Sequence, residues 1–156
     1  MNKKKVFSVT IVLVFLIFIT IIIFRKPKEL EKILTNNEYE LKSKFDAGSE
    51  VEGNTINRNT YKYKRGNVYL MVFEYKTFEE ISNGIIKYYD VYKSNDAFDV
   101  LLEKEKNYIY MRACDLSVCN YYLGYDLMLV STKPDIESRE EVDLIFEEII
   151  KERKLK

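Results

Sequence analysis

From Val6 to Phe24 the chain runs for 19 residues without a charge. Ser8, Thr10 and Thr20 are its only polar side chains, and basic residues close both ends: Lys3, Lys4 and Lys5 before it, Arg25, Lys26 and Lys28 after it. A helix of this kind has no polar face to give to water, so it makes a poor core helix in so small a chain. At about 1.5 Å per residue it is roughly 28 Å long, against a bilayer hydrocarbon core of about 30 Å.

A cleaved secretory signal has an apolar stretch of about 7–15 residues followed by a small-residue cleavage site. Here the stretch is longer, and Phe24 gives way directly to Arg25 and Lys26. No Cys stands near its end to take a lipid. The reading is an uncleaved signal anchor. Residues 1–5 are a basic cytoplasmic tail, 6–24 the transmembrane span, 25–37 a juxtamembrane connector and 38–156 one soluble domain. The flanking positive charges are nearly balanced and do not fix the orientation. A large C-terminal domain crosses largely regardless of its charge, whereas a tight basic tail has nothing to drive it across. The expected location is therefore the plasma membrane, single-pass, with a cytoplasmic N-terminus and the domain outside.

Removing residues 1–28 takes away six of the 25 Lys and Arg and none of the 25 Asp and Glu. The remainder carries 19 basic and 25 acidic residues, a net of about −6. Such a domain is a poor nucleic-acid binder, because neutralising phosphates needs clustered cations. The chain has no His, so it offers no imidazole base or metal ligand. Its five Gly are scattered and form no phosphate-cradling loop. No cofactor or metal is expected.

Along the domain the periodicity alternates between two and 3.6. Leu30, Ile33 and Leu34 suggest a brief helix in the connector. Glu38–Asp46 alternates charged and apolar residues, with Tyr39, Leu41 and Phe45 facing one way, as in a half-buried strand. Residues 48–59 read as a loop. Residues 61–64 and 68–76 read as strands joined at Arg65-Gly66-Asn67, the second apolar on both faces. Thr77-x-x-Glu80 is a capping box opening a helix with Phe78, Ile81, Ile85, Tyr88 and Tyr92 on one stripe. Three further strands are expected at 98–103, 108–113 and 121–131, the first also compatible with a short helix. Ser138-x-x-Glu141 then caps a helix burying Val142, Ile145, Phe146, Ile149 and Ile150. The expected class is α+β: after the transmembrane helix, an antiparallel sheet of about five to six strands with two amphipathic helices packed on one face. The two halves rhyme as a short βββα unit, although elements this common also repeat by chance.

Two clusters carry candidate chemistry. Cys114 and Cys119 flank a four-residue turn, where their side chains can meet across a hairpin. A disulfide there suits an exported domain; two inert thiols are the plain alternative. A redox role lacks the Cys-x-x-Cys spacing, and two thiolates are too few for structural zinc. Tyr108, Tyr110 and Arg112 alternate onto one strand face, with Tyr122 beside them, a surface suited to stacking on a sugar ring or gripping a peptide. Ordinary sheet packing competes with that reading, because Tyr favours strands. The expected role is a non-catalytic binding or accessory module at the cell envelope, holding a protein or envelope-polymer partner. A small membrane-tethered hydrolase using paired carboxylates is the rival, although no two of the 25 acidic residues stand out.

Overall fold

The computed structural model describes residues 29–45, 50–51, 54–55 and 59–154. The expected tail, span and first connector residues (1–28) lie outside them. Among the described residues no helix is long and apolar enough to cross a membrane. The chain divides into two units, residues 1–33 and 34–156. A first helix, α1, occupies 29–36, with Leu30, Ile33 and Leu34 buried at its i, i+3 and i+4 positions.

The second unit is α+β. In chain order its elements are β1 (Glu40–Phe45), β2 (Glu50–Val51), β3 (Asn54–Thr55), β4 (Thr60–Arg65), β5 (Val68–Glu74), α2 (Phe78–Lys93), β6 (Asp99–Lys104), β7 (Tyr108–Cys114), β8 (Cys119–Tyr125), β9 (Met128–Thr132) and α3 (Arg139–Lys154). Seven strands form one sheet in the order β1-β4-β5-β9-β8-β7-β6, and β2 and β3 form a small separate ladder. Every neighbouring pair is antiparallel.

The sheet has more strands than the five to six expected, because residues 121–131 are a hairpin and not one strand. Asp126 turns the chain in the left-handed region (φ 52°), which Asp tolerates better than most residues. Tyr121 then pairs with Thr132 and Tyr125 with Met128. The 48–59 segment, read as loop, holds the two short strands β2 and β3. In β1 the alternation fails for a local reason. A register shift between Leu41 and Ser43 inserts one residue, so Leu41 stands opposite Tyr63 while Phe45 stands opposite Thr60. The two side chains thereby face opposite ways, and both are exposed.

The expectation of both helices on one face is also corrected. In α2, Ile81 and Ile85 pack with Ile109, Met111, Ala113 and Leu129. Phe146 of α3 packs on the alternate residues of the same strands, 6.0 Å from the Tyr110 ring and 5.4 Å from the Tyr121 ring. Successive strand residues point to opposite faces, so α2 and α3 cover opposite faces of the sheet. The reason lies in β7 and β8. Tyr108 to Met111 are buried without a break, and so are Cys119 to Tyr121 and Leu123 to Tyr125. Strands apolar on both faces need cover on both. The βββα repeat falls with this: three strands of the seven-stranded sheet precede α2, four more lie between α2 and α3, and the helices take opposite sides.

The start of α2 follows the expected capping box, whereas at the start of α3 the Ser138 N–H donates to Asp135 Oδ1 at 2.9 Å and the Glu141 carboxylate is taken by Tyr39 and Arg65. Thr77 caps α2, its hydroxyl accepting from the Glu80 N–H at 3.1 Å while the Glu80 carboxylate accepts from the Thr77 N–H at 3.3 Å. Val142, Ile145, Phe146, Ile149 and Ile150 of α3 are all buried. On its other flank the Glu141 carboxylate accepts from the Tyr39 hydroxyl at 2.9 Å and lies 3.4 Å from Arg65. Glu148 accepts from the Asn37 amide at 2.8 Å. These contacts pin α3 across the sheet and leave its opposite flank facing β6 and β7.

Candidate functional site

That opposite flank forms a groove of about 410 Å³, within the size range of ligand clefts. Strand pairing supplies one wall: Leu101 of β6 stands opposite Arg112 of β7, and Glu103 opposite Tyr110. Asp143, Glu147, Ile150 and Lys151 of α3 supply the other. They sit at i, i+4, i+7 and i+8, one stripe of a helix. The amphipathic pattern that buries Ile149 and Phe146 places this charged stripe at the edge of the contact.

Leu101, Tyr110 and Ile150 make the apolar part of the groove, and the charged groups line its rim. Arg112 Nη1 donates to Asp143 Oδ1 at 3.3 Å, both side chains being about one-third exposed (32% and 35%). A pair this wet contributes at most about 1 kcal/mol, so its main effect is to hold Arg112 in place. The Tyr108 hydroxyl donates to the Glu103 carboxylate. Burial pushes the Tyr110 phenol well above the ordinary tyrosine range; Arg112 pulls against this, and Asp143 adds to it. Tyr121 behind it is pushed up to about 12, first by burial and then by Asp143. Both phenols therefore stay neutral at physiological pH. Three carboxylates and two cations line the groove; with Asp143 and Arg112 facing each other, Glu103 and Glu147 outweigh Lys151.

The four residues expected to form a Tyr-rich binding face are distributed differently. Tyr108 is fully buried and Tyr110 is 7% exposed, both on the face that α3 covers. Tyr122 lies on the other face, paired with Met111 and stacked on Tyr88 of α2 at 4.9 Å. An open Tyr face is therefore corrected to an aromatic core, from which only Tyr110 and Arg112 reach the groove. Leu101, Glu103 and the α3 stripe escaped sequence reasoning, because nothing local to β6 says which helix lies beside it. Tyr122 was legible: if Cys114 opposes Cys119, counting three residues back from one and three on from the other puts Tyr122 opposite Met111.

Cys114 and Cys119 are joined by a disulfide at the end of the β7–β8 hairpin. The enclosed turn is organised by Asp115, whose Oδ1 accepts from the N–H groups of Ser117 and Val118 and from the Ser117 hydroxyl, all at 2.7–2.9 Å. These donors hold its carboxyl below the usual carboxylate value. Arg139 Nη2 donates to the Asp115 carbonyl at 3.0 Å and ties the turn to the start of α3. Elsewhere, Glu38, Glu40, Lys42, Lys64, Arg65 and Gly66 line a shallow depression of about 470 Å³ whose charges largely pair with one another. Lys62 and Lys64 flank the Tyr69 ring at 4.3 and 5.1 Å from its centroid. Among the described residues no three His, Cys, Asp or Glu side chains are placed to hold a metal ion. No family model matches the chain, and no curated protein and no solved structure matches it significantly.

Proposed function

We propose that this protein is a single-pass, membrane-tethered binding module. In this reading residues 6–24 anchor it in the plasma membrane, its α+β domain lies outside, and the groove between β6–β7 and α3 receives part of a protein or envelope-polymer partner. The observation that carries the binding role is the groove itself, an apolar strip with charged walls held by Arg112–Asp143 and Tyr108–Glu103. Prepositioned walls lower the ordering cost of binding. The disulfide supports an oxidising compartment.

Two experiments test the proposal. A membrane-impermeant thiol reagent applied to intact cells is expected to label Cys114 and Cys119 only after reduction; labelling only after lysis would overturn the orientation. A photo-crosslinker at position 101 is expected to give an adduct that Glu147→Lys abolishes. The same probe at Val91, exposed on α2, is expected to give none. Equal adducts from both positions would sink the groove assignment.

The carboxylates that line the groove give the hydrolase reading a specific footing. A carboxylate pair needs one member to deliver a proton, whereas Asp143 and Glu103 are both engaged as acceptors. Envelope-polymer cleavage by the full chain, lost in both Glu103→Gln and Glu147→Gln, would move the assignment to that class.

A further inference from the structure

The sheet has two terminal strands, and they differ in kind. β1 carries a bulge between Leu41 and Ser43 and the charges Glu40, Lys42 and Lys44, devices by which proteins blunt an exposed strand edge. β6 has none of these defences at its centre. Its six residues pair with β7 in unbroken register. They contain no Pro, and the middle is Val100-Leu101-Leu102, with Leu101 45% exposed. No strand pairs with its outer side among the described residues. The groove opens directly beside it.

We infer that β6 is the docking edge for an extended peptide segment of a partner protein, which adds to the sheet as an eighth strand and drops alternate side chains beside the groove. This deepens the groove reading and rests on it. Charge specifies the segment. On the face that α3 covers, β6 presents Asp99, Leu101 and Glu103, an acid on either side of an apolar residue. A complementary strand has the pattern basic-x-apolar-x-basic. Its apolar residue meets Leu101, and its basic residues meet Asp99 and Glu103, with Glu147 adding to the same field.

A second copy of the chain fits poorly in the two registers that pair most of β6. Two-fold antiparallel pairing keeps the sheet faces aligned, so opposed residues must share a face. Centred on Leu101 it sets Asp99 against Glu103 twice; centred on Leu102 it sets Asp99 against Glu105. Like charges directly opposite are destabilising.

The test uses the full chain in nanodiscs and the end-blocked peptide Ser-Arg-Thr-Val-Thr-Arg-Ser, followed by fluorescence anisotropy. The expected result is saturable binding, weakened roughly tenfold or more when both Arg are replaced by Glu and likewise in the exposed-edge variant Leu101→Lys. A strand bonds its neighbour through every other amide. N-methylating one alternating set of peptide amides is therefore expected to abolish binding, while methylating the other set leaves it. Equal binding by the two methylated peptides would overturn strand addition. So would no binding of the Arg peptide, or a chain that is dimeric through β6. A position-101 adduct lost in Glu147→Lys would still uphold the groove in any of those cases, so the two readings fail separately.

Discussion

Gly124 shows how closely α2 lies on the sheet. A Cβ built there falls 2.4 Å from Ile81 Cγ2, too close for real atoms, and a tight 3.1 Å from Ile109 Cγ2. Gly124→Ala must push α2 away or force a rotamer change in Ile81. A loss of about 1–3 kcal/mol is expected in denaturant unfolding; an unchanged midpoint would mean that the contact is slack. The fates of Tyr108 and Tyr110 have the same origin in packing. Their alternation with Ile109 and Met111 is plain in the sequence, so the sharing of a face was legible. Which face is covered was not, because the covering ring, Phe146, lies more than thirty residues further on. The Asp126 turn was hidden for another reason: Tyr121, Leu123, Tyr125, Leu127 and Leu129 keep period two straight through it, and neither Gly nor Pro marks the break.

The start of α2 was the most legible element, since its cap is a contact between residues three apart. Thr77→Ala removes the acceptor of the Glu80 N–H. A cost of about 1 kcal/mol is expected, about 3–5 °C in the melting temperature of a domain this size. A larger drop would show that α2 is held mainly by its first turn. The β7–β8 hairpin was legible through its cysteines. Closing so short a loop contributes about 2 kcal/mol in the chain-entropy model. The double variant Cys114→Ser/Cys119→Ser is expected to lose about that much while still unfolding cooperatively, because Asp115 and Arg139 hold the same turn. Non-cooperative unfolding of the variant would show that the disulfide organises more than its own turn. β1 was the least legible strand. A bulge is specified by how two strands meet, and no single residue of Glu40–Phe45 announces it.

Alkali is expected to unfold the whole domain through its buried phenols. Tyr61 and Tyr121 are pushed up to about 12 chiefly by burial, and Tyr39 and Tyr110 higher still. Each folded value exceeds the ordinary value of 10.0, so the stability these groups contribute is complete below pH 10 and is lost as pH rises towards 12. The denaturation midpoint should fall across that interval, with phenolate absorbance rising as the fold is lost. Tyr69, lowered by Lys64 and its neighbouring lysines, should ionise earlier without unfolding. A midpoint flat from pH 10 to 12 would contradict this. The two unlike margins of the sheet bear on stoichiometry. Endless assembly by strand addition requires each unit to offer two open sides, one to give and one to receive. With β1 bulged and charged, only the β6 side can receive. Occupancy of that side should therefore saturate at one segment per domain and end there, so this sheet can complete a complex but cannot propagate a fibre.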